Sequence, residues 1–595
     1  MSKLAWEKIN WTLVQKRLSR QQRRVYKASM EGKRQTVRAL QHRILGSLDA
    51  KFLSVRRVTT KNQRRSTFSI NGMKVFSNKK KIELAYGLKL DGKSKYIRRI
   101  YIPRIGKIKK RFLPVSPSTI EDRAKQMLAK LALEPEWEAV FEHNSYGFRP
   151  GRSCHDAIAS LFFSLRRKNL YVLNTNIHKC FDKINHDKFI IKLDTFDQIE
   201  NQIKAWLKAN IMVRFENESN EVTKALEETC TCQGEIISPL LANIALHGLE
   251  NHIKDKYSNY GYINSKGKKD RKRAIGFSRY ADNFIITAPN YTDIVKIEKL
   301  VDKWLIKETG LKLSKGKPRV FNSTSGFEFL GFQIISIRTV QNEEYKIKVR
   351  PSKKSKTQII QCTRKIIQEN KSASSYKLIT LLSIRIISWA KYFCLGECQK
   401  DFSKIDFIIF KQIRAWVFRR KSKGLRSRKK LKENYFPSKN IYIFRGNQYQ
   451  NNWILTGKTL DKEGEVKQNF LPKMSWVNST QHIKVKGNAS PYDCNYLYWA
   501  KRTYKYLGLS NKVCKLIKIQ NGCCRVCGLP FTQIDDIEVD YIIPQLKRGP
   551  DKFSNLQVLH KHCYIQKSKI NKAVAIFNDF DVSQIIKKLT SLKGF

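Results

Sequence analysis

The stretch Gly276–Thr287, GFSRYADNFIIT, constrains the fold of this chain more than any other. Two short β-prone runs meet at Asp282-Asn283, a polar pair that is common in tight turns. We therefore predict a β-hairpin that presents the turn side chains at its tip. Carboxylates clustered at such a tip can hold two Mg²⁺ ions beside attacking and leaving oxygens. This tip carries one carboxylate and one amide, and an ordinary polar turn is the alternative interpretation.

The net charge of the chain limits the classes of partner that it can bind. Lys and Arg number 116 against 50 Asp and Glu, a formal net charge of +66 over 595 residues. So large an excess repels itself unless a polyanion neutralises it, which favours nucleic acid over the alternative of an anionic membrane surface. The most apolar stretch, Ile236–Leu246, is interrupted by Ser238, Pro239 and Asn243 and is too short to span a bilayer. No membrane association is therefore expected.

Several runs outside the hairpin predict its neighbours. Apolar spacing predicts helices over residues 1–60, and residues 98–115 alternate as two strands around Gly106. The run YVLNTN reads as a strand that ends at Asn176, and residues 231–250 read as a glycine turn that opens one long apolar helix. Helices and strands therefore alternate around the hairpin, which favours a mixed fold.

Seven motifs occur in a fixed order: RRIYIPR, NSYGFRPGRS, CFDKINH, QGEIISPLLANIALHGLE, RYADN, GLKLS and GFEFLGFQI. This order resembles the successive reverse-transcriptase blocks of group II intron-encoded proteins, and the C-terminal part is similar to that family's endonuclease module. The resemblance implies an α+β chain: a right-hand reverse-transcriptase fold with fingers and palm, a helical thumb/maturase domain and a small zinc-containing HNH-like ββα module. The implied divisions are a helical extension (1–60), fingers and palm (61–340), thumb/maturase domain (341–440), a linker or DNA-binding-like region (441–505) and the HNH-like module (506–595).

The resemblance also assigns the polymerase positions. Three aspartates carry the metal ions in this family, and the matching residues here are Asn176, Asp282 and Asn283. An amide oxygen can touch Mg²⁺ but brings no charge, and Mg²⁺ sites depend on one or two carboxylates. A Mg²⁺ ion could still bind at these positions, but we expect no catalytic pair and little or no DNA synthesis, because electrostatic stabilisation by such ions is a large part of the rate.

Nucleic-acid contacts are predicted at two kinds of position. Some match the family's nucleotide or template contacts or lie beside a helix start, where phosphates bind readily. Others lie opposite an apolar helix face or among aromatic residues in 409–436, a pattern that suits RNA. The alternative interpretations are fold maintenance and a solvated basic surface. The predicted residues are Arg104, Arg111, Arg149, Arg152, Gln233, Arg385, Lys391, Arg414, Arg419, Arg420 and Lys421.

Cysteines near the C-terminus predict a metal site. Cys524 and Cys527 form a C-x-x-C pair, and with His560 and Cys563 they have the spacing of a tetrahedral zinc site. Cys523 competes with Cys524 for the first position. The sequence has thirteen cysteines and shows no secretory signal. This combination indicates a reducing compartment, in which the cysteines have metal or core roles.

The same module resembles an HNH endonuclease. Its catalytic positions correspond to Asp540, Tyr541, Asn555 and Tyr564, so two tyrosines stand where the family uses histidines. A phenol with a pKa near ~10 is a poor general base at neutral pH, and it is a poor replacement for imidazole on a metal. We predict no nuclease activity, although the module could still bind DNA.

Together these features predict a maturase that binds group II intron RNA and assists its splicing, without being an enzyme itself. The alternative is an active intron-encoded reverse transcriptase and endonuclease that supports intron mobility. The Lys, Ile and Asn bias and the missing presequence favour a plastid, with a mitochondrion or a bacterial cytoplasm as alternatives. A homodimer is a further expectation.

Overall fold

A computed structural model describes residues 6–568 apart from several stretches. The longest of these are 60–76, 104–111, 214–234, 259–274 and 503–510. The described residues form both helices and strands, which confirms the predicted mixed class.

The N-terminal region is helical, as predicted. Its helices are α1 (Trp11–Met30), α2 (Arg34–Gly46), α3 (Leu48–Thr59) and α4 (Asn78–Gly87). An antiparallel strand pair and a long helix follow, namely β1 (Ile97–Pro103), β2 (Phe112–Val115) and α5 (Ile120–Val140). Helices α1, α2 and α3 pack on α5, because each turns an apolar face inward and fully buries residues such as Val25, Ile44 and Val55.

A four-stranded antiparallel sheet, the central sheet, organises the next region. The elements in chain order are α6 (Cys154–Leu165), β3 (Tyr171–Asn176), α7 (His186–Leu193), α8 (Asp197–Leu207), β4 (Ile211–Val213), α9 (Ser238–Ala245), α10 (Leu249–Ser258), β5 (Gly276–Tyr280), β6 (Asn283–Ala288), α11 (Tyr291–Thr309) and β7 (Val320–Asn322). The strand order of the central sheet is β5-β6-β3-β7. Strand β4 instead runs parallel to β1 in a separate sheet.

Both faces of the central sheet are buried. Alternate residues of a strand point to opposite sides, so Leu173 and Ile286 join a core shared with α11. Val172 and Ile285 join a second core, which α6 shares. This two-sided burial explains why β6 is an almost continuous apolar run, and it holds the strands rigidly beneath the hairpin turn.

The prediction of a long apolar helix after the glycine turn is wrong for the described residues 235–258. The chain forms α9 and α10, separated by a break in which Gly248 adopts a φ of 95°. The backbone N–H groups of Gly248 and Glu250 donate to Glu142 Oε1 at 2.9 and 2.8 Å. A carboxylate that accepts the first N–H groups of a helix favours a new helix start there, which is why the apolar run divides.

A second sheet and four helices follow the central region. The strands are β8 (Phe327–Phe329), β9 (Phe332–Arg338) and β10 (Tyr345–Pro351). The helices are α12 (Lys353–Glu369), α13 (Ser375–Phe393), α14 (Gln399–Phe418) and α15 (Leu425–Tyr435). On α13 the predicted apolar face is confirmed, since Leu382, Ile386 and Phe393 are buried and Trp389 is partly buried.

Two hairpins precede a small C-terminal module. The hairpin strands are β11 (Ile441–Phe444), β12 (Asn447–Gln450), β13 (Thr456–Leu460) and β14 (Val466–Phe470). The C-terminal module contains α16 (Asn511–Ile519), β15 (Ile537–Tyr541) and β16 (Leu556–His560). Strands β15 and β16 pair antiparallel, and residues 563–568 are helical, which gives a ββα arrangement.

Helix α1 touches segments from the far end of the chain. Thr12 Oγ1 lies 3.8 Å from Cys563 Sγ and donates to Gln566 Oε1 at 3.3 Å. About four helical turns further along α1, the ring of Tyr26 lies 6.1 Å from that of Tyr492. Helix α1 therefore contacts both the C-terminal module and the segment before it.

Candidate functional site

The predicted hairpin at residues 276–287 is present, with its turn one residue earlier than expected. In the β5–β6 ladder Tyr280 lies opposite Asn283, which leaves Ala281 and Asp282 as the turn residues. Ala281 has a φ of 58°, the left-handed conformation that tight two-residue turns use. Asn283 is therefore the first residue of β6, and the expectation of an Asp282-Asn283 turn is corrected, because the two strands pair in a register in which Tyr280, and not Ala281, closes the turn.

The structure brings the three predicted polymerase positions together. Asn176 lies opposite Asn283 in the β3–β6 ladder, and the backbone N–H of Ile177 donates to the carbonyl of Asp282 at 3.1 Å. Asn283 Nδ2 donates to Asp282 Oδ1 at 2.8 Å. Burial raises the pKa of the Asp282 carboxyl, and hydrogen bonds from its own backbone and from Asn283 offset this only in part. The cluster thus offers one carboxylate and two amides.

A buried network holds the hairpin from behind. The backbone of Arg279 exchanges hydrogen bonds with Tyr146 N and Asn144 O at 2.8 and 2.9 Å. Its fully buried side chain donates to Asn243 Oδ1 at 3.3 Å and lies 3.7 Å from Glu142 Oε2. A buried guanidinium needs such partners, so these residues fix the hairpin. The sequence did not predict this network, although an arginine inside a β-prone run was the available signal.

Arg149 and Arg152 point into the protein. Arg149 donates to both carboxylate oxygens of Glu138 at 2.8 and 3.0 Å and to two backbone carbonyls. Arg152 is also buried, and it donates to the carbonyl of Gly487 at 2.8 Å. Protein acceptors hold both guanidinium groups inside the fold in this structure, and a contact of these two residues with nucleic acid stays a prediction.

The other predicted nucleic-acid contacts fall into three groups. Four cations are exposed on α13 and at the end of α14, namely Arg385, Lys391, Arg414 and Arg419. Arg420 is different, because its guanidinium lies 3.8 Å from the Trp416 ring centroid and donates to Tyr435 Oη at 3.1 Å. The remaining four lie outside the described residues and stay predictions, namely Arg104, Arg111, Gln233 and Lys421.

The four predicted metal ligands meet in the core of the C-terminal module. Ligand atoms of Cys524, Cys527, His560 and Cys563 all lie within 4.8 Å of one another, and all four residues are buried. Hydrogen bonds from Cys527 and Cys563 lower the pKa of the Cys524 thiol. Cys523 is outside this cluster, which decides between the two candidates for the first position. Three thiols and one imidazole in this space fit a tetrahedral metal centre, and these four residues would hold the ion.

The HNH-like positions lie on and around the strand pair β15–β16. Asp540 Oδ2 pairs with Lys567 Nζ at 2.6 Å, and Tyr541 Oη donates to Asp551 Oδ1 at 3.1 Å. Asn555 is buried, and its side chain bonds both the N–H and the carbonyl of Ile543. Asn555 therefore shapes the loop after β15. Tyr564 packs against the core that contains the cysteines.

A charged junction that our sequence analysis did not identify joins residues 482–502 to α6. Asp156 accepts hydrogen bonds from His482 Nε2 at 2.9 Å, from Arg502 NH2 and from the backbone N–H of Val485 at 2.8 Å. Burial opposes ionisation, but His482 and Arg502 outweigh it and hold the pKa of the Asp156 carboxyl well below its usual range. The capping box of α6 uses the same carboxylate, so one side chain serves both contacts.

Comparison with known families divides the chain into four matches. The family descriptions and matched residues are N-terminal domain of reverse transcriptase (6–88), reverse transcriptase (RNA-dependent DNA polymerase) (103–334), group II intron maturase-specific domain (356–436) and HNH endonuclease (524–569). The central sheet lies in the second match, α13 and α14 lie in the third, and the cysteine cluster lies in the fourth.

Individual proteins give the same picture. The group II intron-encoded protein LtrA of Lactococcus lactis subsp. cremoris is 28% identical over 288 residues, 40% of this chain and 46% of LtrA. An uncharacterized 91 kDa protein in a cob intron of Schizosaccharomyces pombe is 35% identical over 177 residues, 30% of this chain and 20% of that protein. Maturase-like protein 1 of Euglena gracilis is 26% identical over 391 residues, 64% of this chain and 76% of that protein. The chain thus spans less than half of the first two relatives.

Proposed function

We propose that this chain, which belongs to the group II intron reverse transcriptase/maturase family with a C-terminal HNH module, binds intron RNA and assists its splicing. The RNA would perform the transesterifications, and the protein would stabilise the folded RNA. Relatives occur in bacteria and in mitochondrial introns as well as in Euglena. A plastid location is our proposal from the composition of the sequence.

The observation that carries this proposal is the two-sided character of α13 and α14. Apolar residues on one side are buried in the core, while Arg385, Lys391 and Arg414 are exposed on the other. Exposed cations neutralise phosphates, and the displaced counterions favour binding. This region coincides with the maturase-specific match at 356–436.

Binding would assist splicing through linkage. A protein that binds the folded RNA and not the unfolded RNA stabilises the folded form by about 2.7 kcal/mol when it is present at ~100 times its dissociation constant. Neutralised phosphates also let RNA helices pack against each other. Intron recognition beyond this charge effect needs contacts to unpaired bases, because phosphate contacts carry little sequence information.

We infer that neither nucleic-acid chemistry of the family operates here. Asn176, Asp282 and Asn283 supply one carboxylate, a donor set that does not fit two Mg²⁺ ions. Tyr541 and Tyr564 do not supply the imidazoles of an HNH centre. These regions would then serve to present RNA-binding surfaces, in a fold that we propose to be fingers, palm and thumb.

The Cys/His centre would hold a zinc ion with a structural role. Its four ligands leave no open position for a reacting water, which separates it from catalytic zinc sites. The module could add contacts to DNA, and a homodimer remains a prediction. In the described part of the chain, no helix has the length and apolarity needed to cross a membrane.

Depletion of the protein in its native compartment tests the proposal. We expect one or a few group II introns to accumulate unspliced, and crosslinked RNA to be enriched in the same introns. A variant with Asp282→Asn should restore splicing as well as the natural chain does. Full splicing after depletion would contradict the proposal.

The second candidate is an active reverse transcriptase, and the retained Asp282 favours it. Extension of a primed RNA template by the purified chain, lost in Asp282→Ala, would support this alternative. A parallel splicing assay separates the two functions, because the maturase proposal expects splicing to survive that substitution.

A further inference from the structure

A basic cleft lies between α14, α15 and the loop after β12, and it encloses about 680 Å³. Lys411, Arg414 and Phe418 line it from α14, where spacings of three, four and seven residues put them on one helix face. Arg428, Lys429 and Lys432 line it from α15. Pockets for small ligands enclose about 300–1,000 Å³, so the cleft is large enough for a nucleotide.

The charge of the cleft selects a polyanion. All five cations are exposed, and none of them is paired with a carboxylate among the described residues. The lining residues include no acid. A single phosphate cannot neutralise five cations, whereas several consecutive phosphates of a nucleic-acid strand can.

Trp453 adds a rigid aromatic wall. Its ring lies 5.4 Å from Phe410 and 5.7 Å from Phe436, which is itself buried, so packing fixes its orientation. The side chain nevertheless remains 37% exposed, and Lys432 Nζ lies 4.8 Å from the ring centroid. An exposed, oriented indole beside a cation is suited to a base with its phosphate.

We propose that this cleft binds one unpaired nucleotide of the RNA, with its base on Trp453 and neighbouring phosphates on Lys411 and Arg414. A base inside a duplex is stacked on both faces and cannot reach the indole, so the ligand must be a bulged or looped base. Trp453 lies outside the four family matches, beyond the maturase-specific one at 356–436. This inference rests on the proposed function and names the form of RNA that one surface recognises.

Binding of two RNA hairpins to the full chain tests the proposal. The hairpins differ only in one unpaired adenosine, and affinities are compared at one stated salt concentration. We expect the natural chain to bind the hairpin with the unpaired base more tightly. In Trp453→Ala the ratio of the two affinities should fall by about tenfold. The double variant K411Q/R414Q should weaken binding of both hairpins and reduce the salt dependence by about one or two phosphate contacts.

Matched controls separate this site from general charge. The variant K400Q/K404Q removes two exposed cations from the same helix outside the cleft, and it should retain the preference for the unpaired base. Trp453→Ala also removes packing against Phe410 and Phe436, so a second measurement uses the natural chain. In that complex, 4-thiouridine at the unpaired position should crosslink to the peptide that contains Trp453 or to the one that contains Phe418. Equal affinity for the two hairpins, a crosslink elsewhere or equal competition by polyglutamate would overturn the proposal.

The proposed nucleotide cleft can fail while the proposed function stands. If the natural chain binds no intron RNA, both proposals fall. If Trp453→Ala and K411Q/R414Q support splicing as well as the natural chain does, only the nucleotide cleft is overturned.

Discussion

The hairpin tip of the central sheet and the cysteine cluster of the C-terminal module both gather ligand-type side chains, but different forces hold them in shape. At the tip, backbone pairing aligns Asn176 with Asn283, and an amide of Asn283 bonds Asp282. In the cluster, Cys524 and Cys563 converge with two further ligands within a small separate core. The tip is held by a sheet that is buried on both faces, whereas the apolar core of the C-terminal module is small.

This difference indicates which ligand side chains a fold can lose without losing its structure. Charges at a tip that a rigid sheet supports can be replaced by amides while the strands stay paired. A small module cannot gain enough stability from its own apolar core, and a metal commonly supplies the rest. In the structure, four Cys and His side chains meet where a metal would support folding, whereas the tip offers one carboxylate and two amides.

The largest expected effect is at the cluster. Cys527→Ser should release the metal and unfold the C-terminal module, because a structural metal contributes on the order of 10 kcal/mol to such a fold. Metal content and protection of residues 511–568 from protease measure the effect. The control is Cys523→Ser, which lies outside the four ligands and should keep both. Equal metal loss in the two variants would break the comparison.

The next effect concerns the support behind the hairpin tip. Arg279→Met should destabilise the central region by about 3–5 kcal/mol, because it leaves the buried Glu142 carboxylate without its cation. Chemical denaturation measures the free energy of unfolding. The surface variant Lys299→Met should stay within about 0.5 kcal/mol of the natural chain. A small effect of Arg279→Met would mean that the tip does not depend on this network.

Restored carboxylates sharpen the comparison from the other side. The double variant Asn176→Asp with Asn283→Asp should gain stability with added Mg²⁺, by about 2.7 kcal/mol at ~100 times the dissociation constant. The natural chain should respond little, because it has only Asp282. Thermal unfolding with and without Mg²⁺ gives the difference, and adding Asp282→Asn to the double variant should reduce the response. The same Mg²⁺ response in the natural chain would contradict our interpretation of the tip.

The smallest effect is a pH dependence beside the same network. Burial, with Lys192 and Arg279 nearby, lowers the pKa of His247 to about 4, while Glu142 Oε2 lies 3.9 Å from its Nδ1. The unfolded chain takes up a proton below about pH 6.5 and the folded chain does not, so stability falls as the pH falls through this window. From about pH 6.5 to 5 this group should cost about 2 kcal/mol. Denaturation of His247→Gln over the same range should lack that part of the slope; an unchanged slope would assign it elsewhere.

The sequence predicted the features that local spacing determines. The end of β3 at Asn176, the hairpin, the apolar face of α13 and the four ligands are confirmed as positions in the structure. In each case the residues that matter are close along the chain or follow a fixed period, so periodicity and motif spacing carried enough information.

Distant partners explain most of what the sequence did not predict. Glu142 divides the apolar run at Gly248, 106 residues away, and Arg152 is turned inward by the carbonyl of Gly487, 335 residues away. No local sequence pattern predicts a contact between residues so far apart in the chain. The turn shift at Asp282 has another cause, since the strands pair in a register one residue away from the one that the local turn preference of the Asp-Asn dipeptide indicates.

The contact between α1 and the C-terminal module has a consequence for biosynthesis. Thr12 and Cys563 are 551 residues apart, so α1 leaves the ribosome long before its last neighbour has been made. Until then the side of α1 that carries Thr12 faces water or a chaperone, whatever the rest of the helix has already packed against. The order of translation therefore makes this junction one of the last parts of the molecule to assemble, and a stalled ribosome would leave that surface of the first helix uncovered.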